Sequence, residues 1–469
     1  MPEENLMEKV VSLCKRRGFV FPGSEIYGGL ANTWDYGPYG AALKKNVKDI
    51  WWKTFVEDRD DMVGLDAAIL MNPKTWEASG HVASFSDPLI DCKKCHTRHR
   101  GDKLLEEKIG AGEAAKVKLK DIHDRLTKEE IPCPDCGAMN WTEAKTFNLM
   151  FKTKQGVIEG DQDDIYLRPE TAQGIFVNFK NVIDTCRVRV PFGIGQIGKA
   201  FRNEITPGNF TYRTREFEQM EIEYFVHPTD KKEKYEEWKQ QSKDFFTRTL
   251  GIRDKNLRFR EHDKDELSHY SEMTFDVEYR FPFGSIHEGS ETWGELQGLA
   301  DRGNYDLTQH EKFSGKDLKY RDPITNEVYL PHVIEPSFGL DRSVLTVLID
   351  AYNEEKLEDG TERVVMKFRP QLAPVQIAVF PLLKNKEELV KAAKKVHDQL
   401  KPHFRCEWDD NGNVGKRYRR QDEIGTPYCV TFDFDSLEDK SVTVRDRDTM
   451  KQERIKIDQL AEYFGKVFR

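Results

Sequence analysis

The chain contains no apolar run of the roughly 18 residues that a membrane-spanning helix needs. Its opening, MPEENLMEKVVSLCKRRGF, lacks the apolar segment of a secretory signal. A cytosolic protein is the expectation. A global basic footprint is missing too, since the formal charge is −9. A nucleic-acid partner would have to be met by a local patch rather than by the field of the whole molecule. No GxxxxGKS or GxxxxGKT phosphate loop occurs. Val190–Gly198, VPFGIGQIG, holds a formal GxGxxG. A dinucleotide-binding loop must open a helix, however, and here the chain runs on into Lys199–Glu204 and a hairpin. Cysteine is sparse. Four of the eight fall in two CxxC pairs and the rest are scattered, which in a reducing compartment favours metal binding over disulfides.

What is present suits a soluble, well-folded protein, 38% hydrophobic and 33% charged. At 469 residues the chain is too long for one core, so two or three domains are expected. The most informative stretch is Phe201–Val226, FRNEITPGNFTYRTREFEQMEIEYFV. Thr206-Pro207-Gly208-Asn209 is turn chemistry between two runs that alternate with period two. The pattern predicts a hairpin in which Arg202 and Glu204 share a face with Ala200. On the second strand Met220, Ile222, Tyr224 and Val226 look into a core, while Phe217, Gln219, Glu221 and Glu223 take the opposite face. That face suits the floor of a site. Phe217 offers a flat surface for a base, Arg202 a fork for a phosphate and Glu204 an acceptor for an exocyclic amine. A half-solvated hairpin with surface ion pairs would have the same pattern.

Along the rest of the chain, Met1–Arg17 reads as a short amphipathic helix. Leu43, Val47, Ile50, Trp51, Thr54 and Phe55 recur at helical spacing from Ala41 to about Glu57, a stripe that fits either a buried core or a subunit interface. A strand is predicted at Ala67–Met71, stopped by Asn72-Pro73. Phe147–Phe151 and Ile165–Leu167 look like strands, with a helix following through Phe179. Asp230–Thr249 is a polar helix. Glu278–Phe283 and Ile286 precede the acid-bearing strand Trp293–Gly298. Tyr305–Asn326, polar and turn-rich, reads as an insertion or mobile loop. Pro331–Glu335 is a strand, and Pro336–Arg342 turns into a helix buried through Val344, Leu345, Val347 and Leu348. Arg342 lies in its first turn, where free N–H groups favour an anion. From Phe368 the chain starts afresh. Strands at Val375–Phe380, Tyr428–Phe434 and Ser441–Asp446, with a helix at Lys386–Leu400, indicate a separate α/β domain. There Lys416-Arg417-Tyr418-Arg419-Arg420 is either a solvated charge run or a nucleic-acid contact.

Cys92-Lys-Lys-Cys95 and Cys133-Pro-Asp-Cys136-Gly137 bracket a Lys/Glu-rich, helical segment. Thiolates two apart can chelate one tetrahedral ion from a tight turn. A structural zinc at Cys92, Cys95, Cys133 and Cys136 is expected, with four free buried thiols as the alternative. His96 and His99 could compete as ligands. Four cysteines leave no open position for catalysis.

Taken together these segments resemble the signature of class II aminoacyl-tRNA synthetases, and within them the dimeric, glycine-specific branch. Leu43–Pro73 is similar to motif 1, the dimer motif. Phe201-Arg-Asn-Glu204 through Glu216-Phe217-Glu218 is similar to motif 2, and Gly339-Leu-Asp-Arg342 to motif 3. The narrower likeness rests on WDYGPYGAALKKNV, CKKCHTRHRGD, LRPETAQGIFVNFKN, GKAFRNEITPG, REFEQMEIEYF, YDLTQHEKFSGKDL, HVIEPSFGLDR and GKRYRRQDEIGTPYC. It extends over nearly the whole chain, and the order and spacing of the motifs make it specific.

The resemblance implies an α+β fold: an antiparallel sheet flanked by helices across residues 1–367, interrupted by a zinc-binding insertion (88–145) and a polar one (303–328), with an anticodon-binding domain over 368–469. It implies adenylation of glycine by ATP with magnesium, transfer to tRNA(Gly), and a homodimer. Arg202 would hold the α-phosphate, Glu204 the adenine amino group and Arg213 the γ-phosphate. Phe217 and Arg342 would sandwich the base, and Glu295 would help hold magnesium. Asn203, Tyr212, Leu296 and Gly339 complete the implied ATP contacts. The glycine pocket would draw on Arg100, Glu170, Phe217, Glu218, Glu221, Glu335, Ser337 and Gly339, holding the ammonium with carboxylates and leaving no room for a Cβ. Arg417, Arg419 and Arg420 would touch tRNA.

Overall fold

The structure is a computed structural model that describes residues 6–156, 163–262, 271–283 and 293–468. The elements that position the site are helix α1 (Pro38–Trp52), strand β1 (Met62–Gly64), helix α2 (Ala172–Cys186), strands β2 (Phe192–Phe201) and β3 (Glu216–Val226), helix α3 (Lys231–Asp244), strands β4 (Leu257–Glu261), β5 (Met273–Arg280) and β6 (Trp293–Gly303), helix α4 (Tyr305–Ser314), strand β7 (His332–Gly339) and helix α5 (Leu340–Ala351). The strands form one sheet in the order β4-β5-β6-β7-β3-β2-β1. Its neighbours are antiparallel, except that the edge strand β1 runs parallel to β2.

Both faces of this sheet are covered. Met220, Ile222, Tyr224 and Val226 of β3 point into a core shared with α1, α3 and α5, as their alternation requires. Phe225 points the other way, into a second cluster built on Ile175, Phe176 and Phe179 of α2. The face carrying Gln219, Glu221 and Glu223 is therefore buried under α2 and is not the half-solvated surface that a hairpin alone would offer.

α1 starts on Pro38, whose missing N–H costs nothing at a helix start. It packs so closely on the preceding chain that a Cβ on Gly40 would lie 1.8 Å from the Phe19 carbonyl oxygen. The helix continues as a wide turn to Glu57. Trp51 and Phe55 fill the space beneath the sheet, with Phe55 5.3 Å from Phe338 and 5.2 Å from Phe245 between ring centres. The aromatic stripe is thus spent inside its own chain and calls for no partner surface.

Several expected elements fall elsewhere. The strand placed at Ala67–Met71 lies earlier, as β1, and Asn72 instead caps a helix from Pro73 by accepting from the Lys74 N–H. The helix expected at Asp230–Thr249 is in place, running from Lys231 to Thr249. β7 runs on through Pro336 to Gly339 before α5 begins. Tyr305–Asn326 is not a mobile loop: α4 occupies its first half with Asp306, Leu307 and His310 buried, and Tyr320–Arg321 pairs with Val328–Tyr329. The expected strand residue Ile286 lies outside the described residues. The cysteine-bearing insertion has its own small core around Ile90, Leu105, Leu126 and Trp141.

The C-terminal unit is the expected α/β domain, a sheet of five strands. It includes two strands that sequence reading missed, Cys406–Trp408 and Gln452–Lys456. Its core begins at Ile377, whereas Phe368, Leu372, Ala373 and Val375 pack into the first domain. Among the described residues no helix is long and apolar enough to cross a membrane.

Candidate active site

The β2–β3 hairpin opens before its tip. β2 stops at Phe201 because Arg202 makes the last pairing, its N–H donating to the Arg215 carbonyl, while the Asn203 N–H turns away to Leu149. The tight turn is Asn209–Tyr212 rather than Thr206–Asn209. Asn209 and Phe210 take left-handed backbone angles of 57° and 59°, and Gly208 pairs with Arg213. Arg202 and Glu204 therefore reach the site from a loop, not from the strand face that alternation predicted. They still arrive beside Phe217. The Arg202 guanidinium lies 5.4 Å from the Phe217 ring centre and donates to the Pro169 carbonyl at 3.0 Å. Across the cleft Arg342 sits 4.5 Å over the Tyr212 ring. It donates to the Tyr212 carbonyl at 3.2 Å and to Glu295 Oε2 at 3.1 Å.

Beneath this pair, Asp341 ties three elements together. It accepts from Lys44 Nζ at 2.6 Å, from the Tyr36 hydroxyl at 2.7 Å and from the Glu218 N–H at 2.7 Å. Lys44 also meets Glu218 at 2.7 Å. A buried cation between two carboxylates keeps its charge through its partners, and although burial opposes it, Asp341 and Glu218 leave the Lys44 ammonium raised above its ordinary value.

The neighbouring half of the cleft is acidic. The Glu221 carboxylate accepts from the Ser337 hydroxyl at 2.7 Å and from the Thr171 hydroxyl. Glu335 accepts from Arg302 at 2.8 Å, and the same guanidinium makes a two-pronged contact with Asp306 at 2.8 and 2.9 Å. Glu170 faces His81 at 3.3 Å and accepts from Gln173 at 2.9 Å. Burial alone would raise the Glu170 carboxyl, but His81, Arg302 and Gln173 overturn that and hold it below the ordinary range. Glu335 goes the other way. Burial, then repulsion from Glu221 and Glu170, outweighs Arg302 and pushes it up to about 8.

Both halves line one cleft of about 300 Å³, together with Arg213, Glu204 and Gly339. Three residues expected in it do not line it. Leu296 is buried in the core and Asn203 is turned to Leu149. Arg100 is held by Asp87 at 3.0 Å and Asp102 at 2.6 Å.

Residues 151–352 match the family described as tRNA synthetase class II core domain (G, H, P, S and T), and residues 376–466 match the anticodon binding domain. A glycine–tRNA ligase of Clostridium kluyveri is 56% identical over 468 residues, covering 99% of this chain and 98% of that protein. One from Acetivibrio thermocellus is 57% identical, covering 99% of each. The chain belongs to the glycine–tRNA ligase family, within the class II aminoacyl-tRNA synthetases. A solved prolyl-tRNA synthetase of Cryptosporidium parvum, complexed with L-proline and AMP, shares the fold with a TM-score of 0.63 at 14% identity, covering 99% of this chain and 78% of that one.

In this glycine–tRNA ligase family member, sequence reading missed Arg302, Asp276, His262 and Thr274 in the cleft wall. Arg302 carried a signal that went unused, an arginine four residues before Asp306 on a strand-to-helix junction. The two CxxC pairs do converge. Cys92–Cys136 and Cys95–Cys133 sulfurs are each 3.6 Å apart, and all four lie within 4.8 Å of one another. A tetrahedron with metal–sulfur bonds of about 2.3 Å has an edge of roughly 3.8 Å, so the set fits zinc. His96 is exposed and outside the sulfur set, whereas His99 Nε2 lies beside it, 3.7 Å from Cys133 Sγ and 3.1 Å from Asp135.

The basic run 416–420 is not a free patch. Arg417 is buried and donates to the carbonyls of Pro381, Asp410 and Gly412. Arg420 forks onto Asp409. Helix Val414–Ile424 leaves Lys416 exposed and Arg419 half-buried.

Proposed function

We propose that this protein charges tRNA with glycine in two steps. The observation that carries the reading is the adjacency, in one cleft, of a half lined by Arg202, Glu204, Phe217 and Arg342 and a carboxylate-lined half that includes Ser337. In the first step a carboxylate oxygen of glycine attacks the α-phosphorus of ATP, and pyrophosphate leaves. Arg202 steadies the charge on the α-phosphate, Arg213 the γ-phosphate, and Phe217 and Arg342 clamp the adenine. In the second step a ribose hydroxyl at the tRNA 3′ end attacks the glycyl carbonyl carbon and AMP leaves. Positioning and charge neutralisation carry such chemistry, so no side-chain nucleophile is needed.

Glycine is held by its ammonium against Glu170, Glu221 and Glu335. Larger amino acids meet Ser337 and the Glu221 network, and one extra methyl in a packed site costs about 1–3 kcal/mol. Glu295 Oε1 and Asp276 Oδ1 each lie 3.7 Å from where a Cβ on Gly298 would stand. They offer the hard oxygens that a magnesium ion takes, and that ion would neutralise phosphate charge as pyrophosphate forms. Zinc at the four cysteines is structural. A homodimer belongs to this reading through the family likeness alone. The C-terminal domain meets the tRNA anticodon.

Glycine-dependent exchange of pyrophosphate into ATP, followed by charging of tRNA(Gly), is the test. Exchange stimulated by glycine and not by alanine is expected. Exchange indifferent to glycine refutes the reading.

A further inference from the structure

Glu223 has no part in the chemistry described so far, yet it is placed where a carboxylate is hardest to keep. It is fully buried, and neither of its oxygens has a hydrogen-bond partner. It follows Glu221 on the same face of β3, one step deeper than the cleft floor. The pairing of Glu221 with Ser337 and of Tyr224 with Ile334 sets it opposite Glu335 of β7. Carboxylate oxygens of Glu221, Glu223 and Glu335 lie within 4.8 Å of one another.

The charged groups facing this trio are Arg302 from β6, Asp306 from α4, and Glu170 with His81 across the cleft. Arg302 is already divided between Glu335 and Asp306. Opposed carboxylates in a dry site cannot all ionise. An unpartnered, protonated Glu223 gains an O–H that its neighbour Glu335 can accept, which satisfies both groups. Burial, then Glu335, raises the Glu223 carboxyl well above its ordinary range.

We propose that the Glu221–Glu223–Glu335 group stores one proton, seated on Glu223, and exchanges it for the substrate's ammonium. The exchange rests on the glycine-binding reading above. When a cation enters beside Glu221 and Glu335, the proton leaves to water. The net charge of the pocket is then unchanged, because one positive charge enters as another leaves. Glu223 is a positioning residue, acting through the two carboxylates that touch the substrate. The exchange also screens against neutral ligands, which cannot replace the proton.

The pH profile of the KM for glycine in pyrophosphate exchange tests this, with calorimetry of glycine binding in two buffers of different ionisation enthalpy. The free amine keeps its proton across pH 6.5–8.5, so protons released in the calorimetry of glycine alone come from the protein. In the wild type KM should fall with rising pH, approaching tenfold per unit for one proton released. The calorimetric enthalpy should vary with buffer by about 0.5 to 1 proton per glycine near pH 7. Glu223→Gln keeps the shape but has no proton to give, so its KM slope and its buffer-dependent proton count should both fall well below the wild-type values, with Glu335, itself raised to about 8, supplying what remains. A flat wild-type profile with glycine-dependent exchange intact overturns the proton exchange while leaving the ligase reading standing. An undiminished slope in Glu223→Gln also overturns it, and its loss in His81→Gln would assign the proton to the His81–Glu170 pair. Absence of glycine-dependent exchange at any pH removes both.

Discussion

Replacing Arg302 with methionine isolates the part of the site that sequence reading missed. The guanidinium is buried and serves Glu335 and Asp306 in three contacts of 2.8–2.9 Å. Methionine has similar length and no charge, so little cavity forms and the loss is electrostatic. Removing one partner of a buried ion pair costs about 3–5 kcal/mol, because the other charge stays behind. The stripped carboxylates can escape part of that by taking up protons, about 1.4 kcal/mol for each unit by which a folded-state pKa rises. The deficit should therefore be larger at pH 8 than at pH 5. Glu335 sets the sign. Its folded value, about 8, lies above the roughly 4.3 of an unfolded glutamate. Its stabilising contribution is full below pH ~4.3 and is lost as pH rises through 8, and raising its folded value further extends that loss. Urea unfolding followed by the fluorescence of the buried Trp51 and Trp238 measures the effect in the catalytic domain. Arg302→Lys, which keeps the charge without the fork, should fall between. A methionine variant within about 1 kcal/mol of wild type at pH 8, or one more impaired at pH 5, refutes the argument.

Arg202→Ala should cut pyrophosphate exchange by about 10²–10³ with little change in stability, and near-normal exchange would remove Arg202 from the α-phosphate. Purified protein should carry one zinc per chain that Cys92→Ser abolishes and His96→Ala does not. Metal analysis finding under about a tenth of an equivalent would refute that site. In the C-terminal domain Arg417→Met should destabilise the fold by about 1–3 kcal/mol through the carbonyls it strands. Arg419→Ala should instead reduce the salt slope of tRNA binding by about one. Equal effects of the two variants on unfolding would contradict their different burial. Sedimentation at nanomolar concentration should show a dimer, and a single species near 54.6 kDa would exclude it.

Much of this protein was legible in its sequence because the relevant physics is local. Period-two alternation assigned Met220, Ile222, Tyr224 and Val226 to the core, and helical spacing found α1 and α5. The CxxC spacing named all four members of the sulfur cluster, since two thiolates on one tight turn must point together. What alternation could not supply is what covers a face. The strand face of Glu221 and Glu223 fitted either the floor of a site or a half-solvated surface until α2 was laid over it, and that burial turns ordinary acids into a site. Arg302 and Glu335 are remote in sequence and meet only because β6 and β7 are neighbours. The same limit misled the reading of Lys416–Arg420. Four basic residues state their charges but not their surroundings, and only tertiary packing sent Arg417 inward to backbone carbonyls while leaving Lys416 in water.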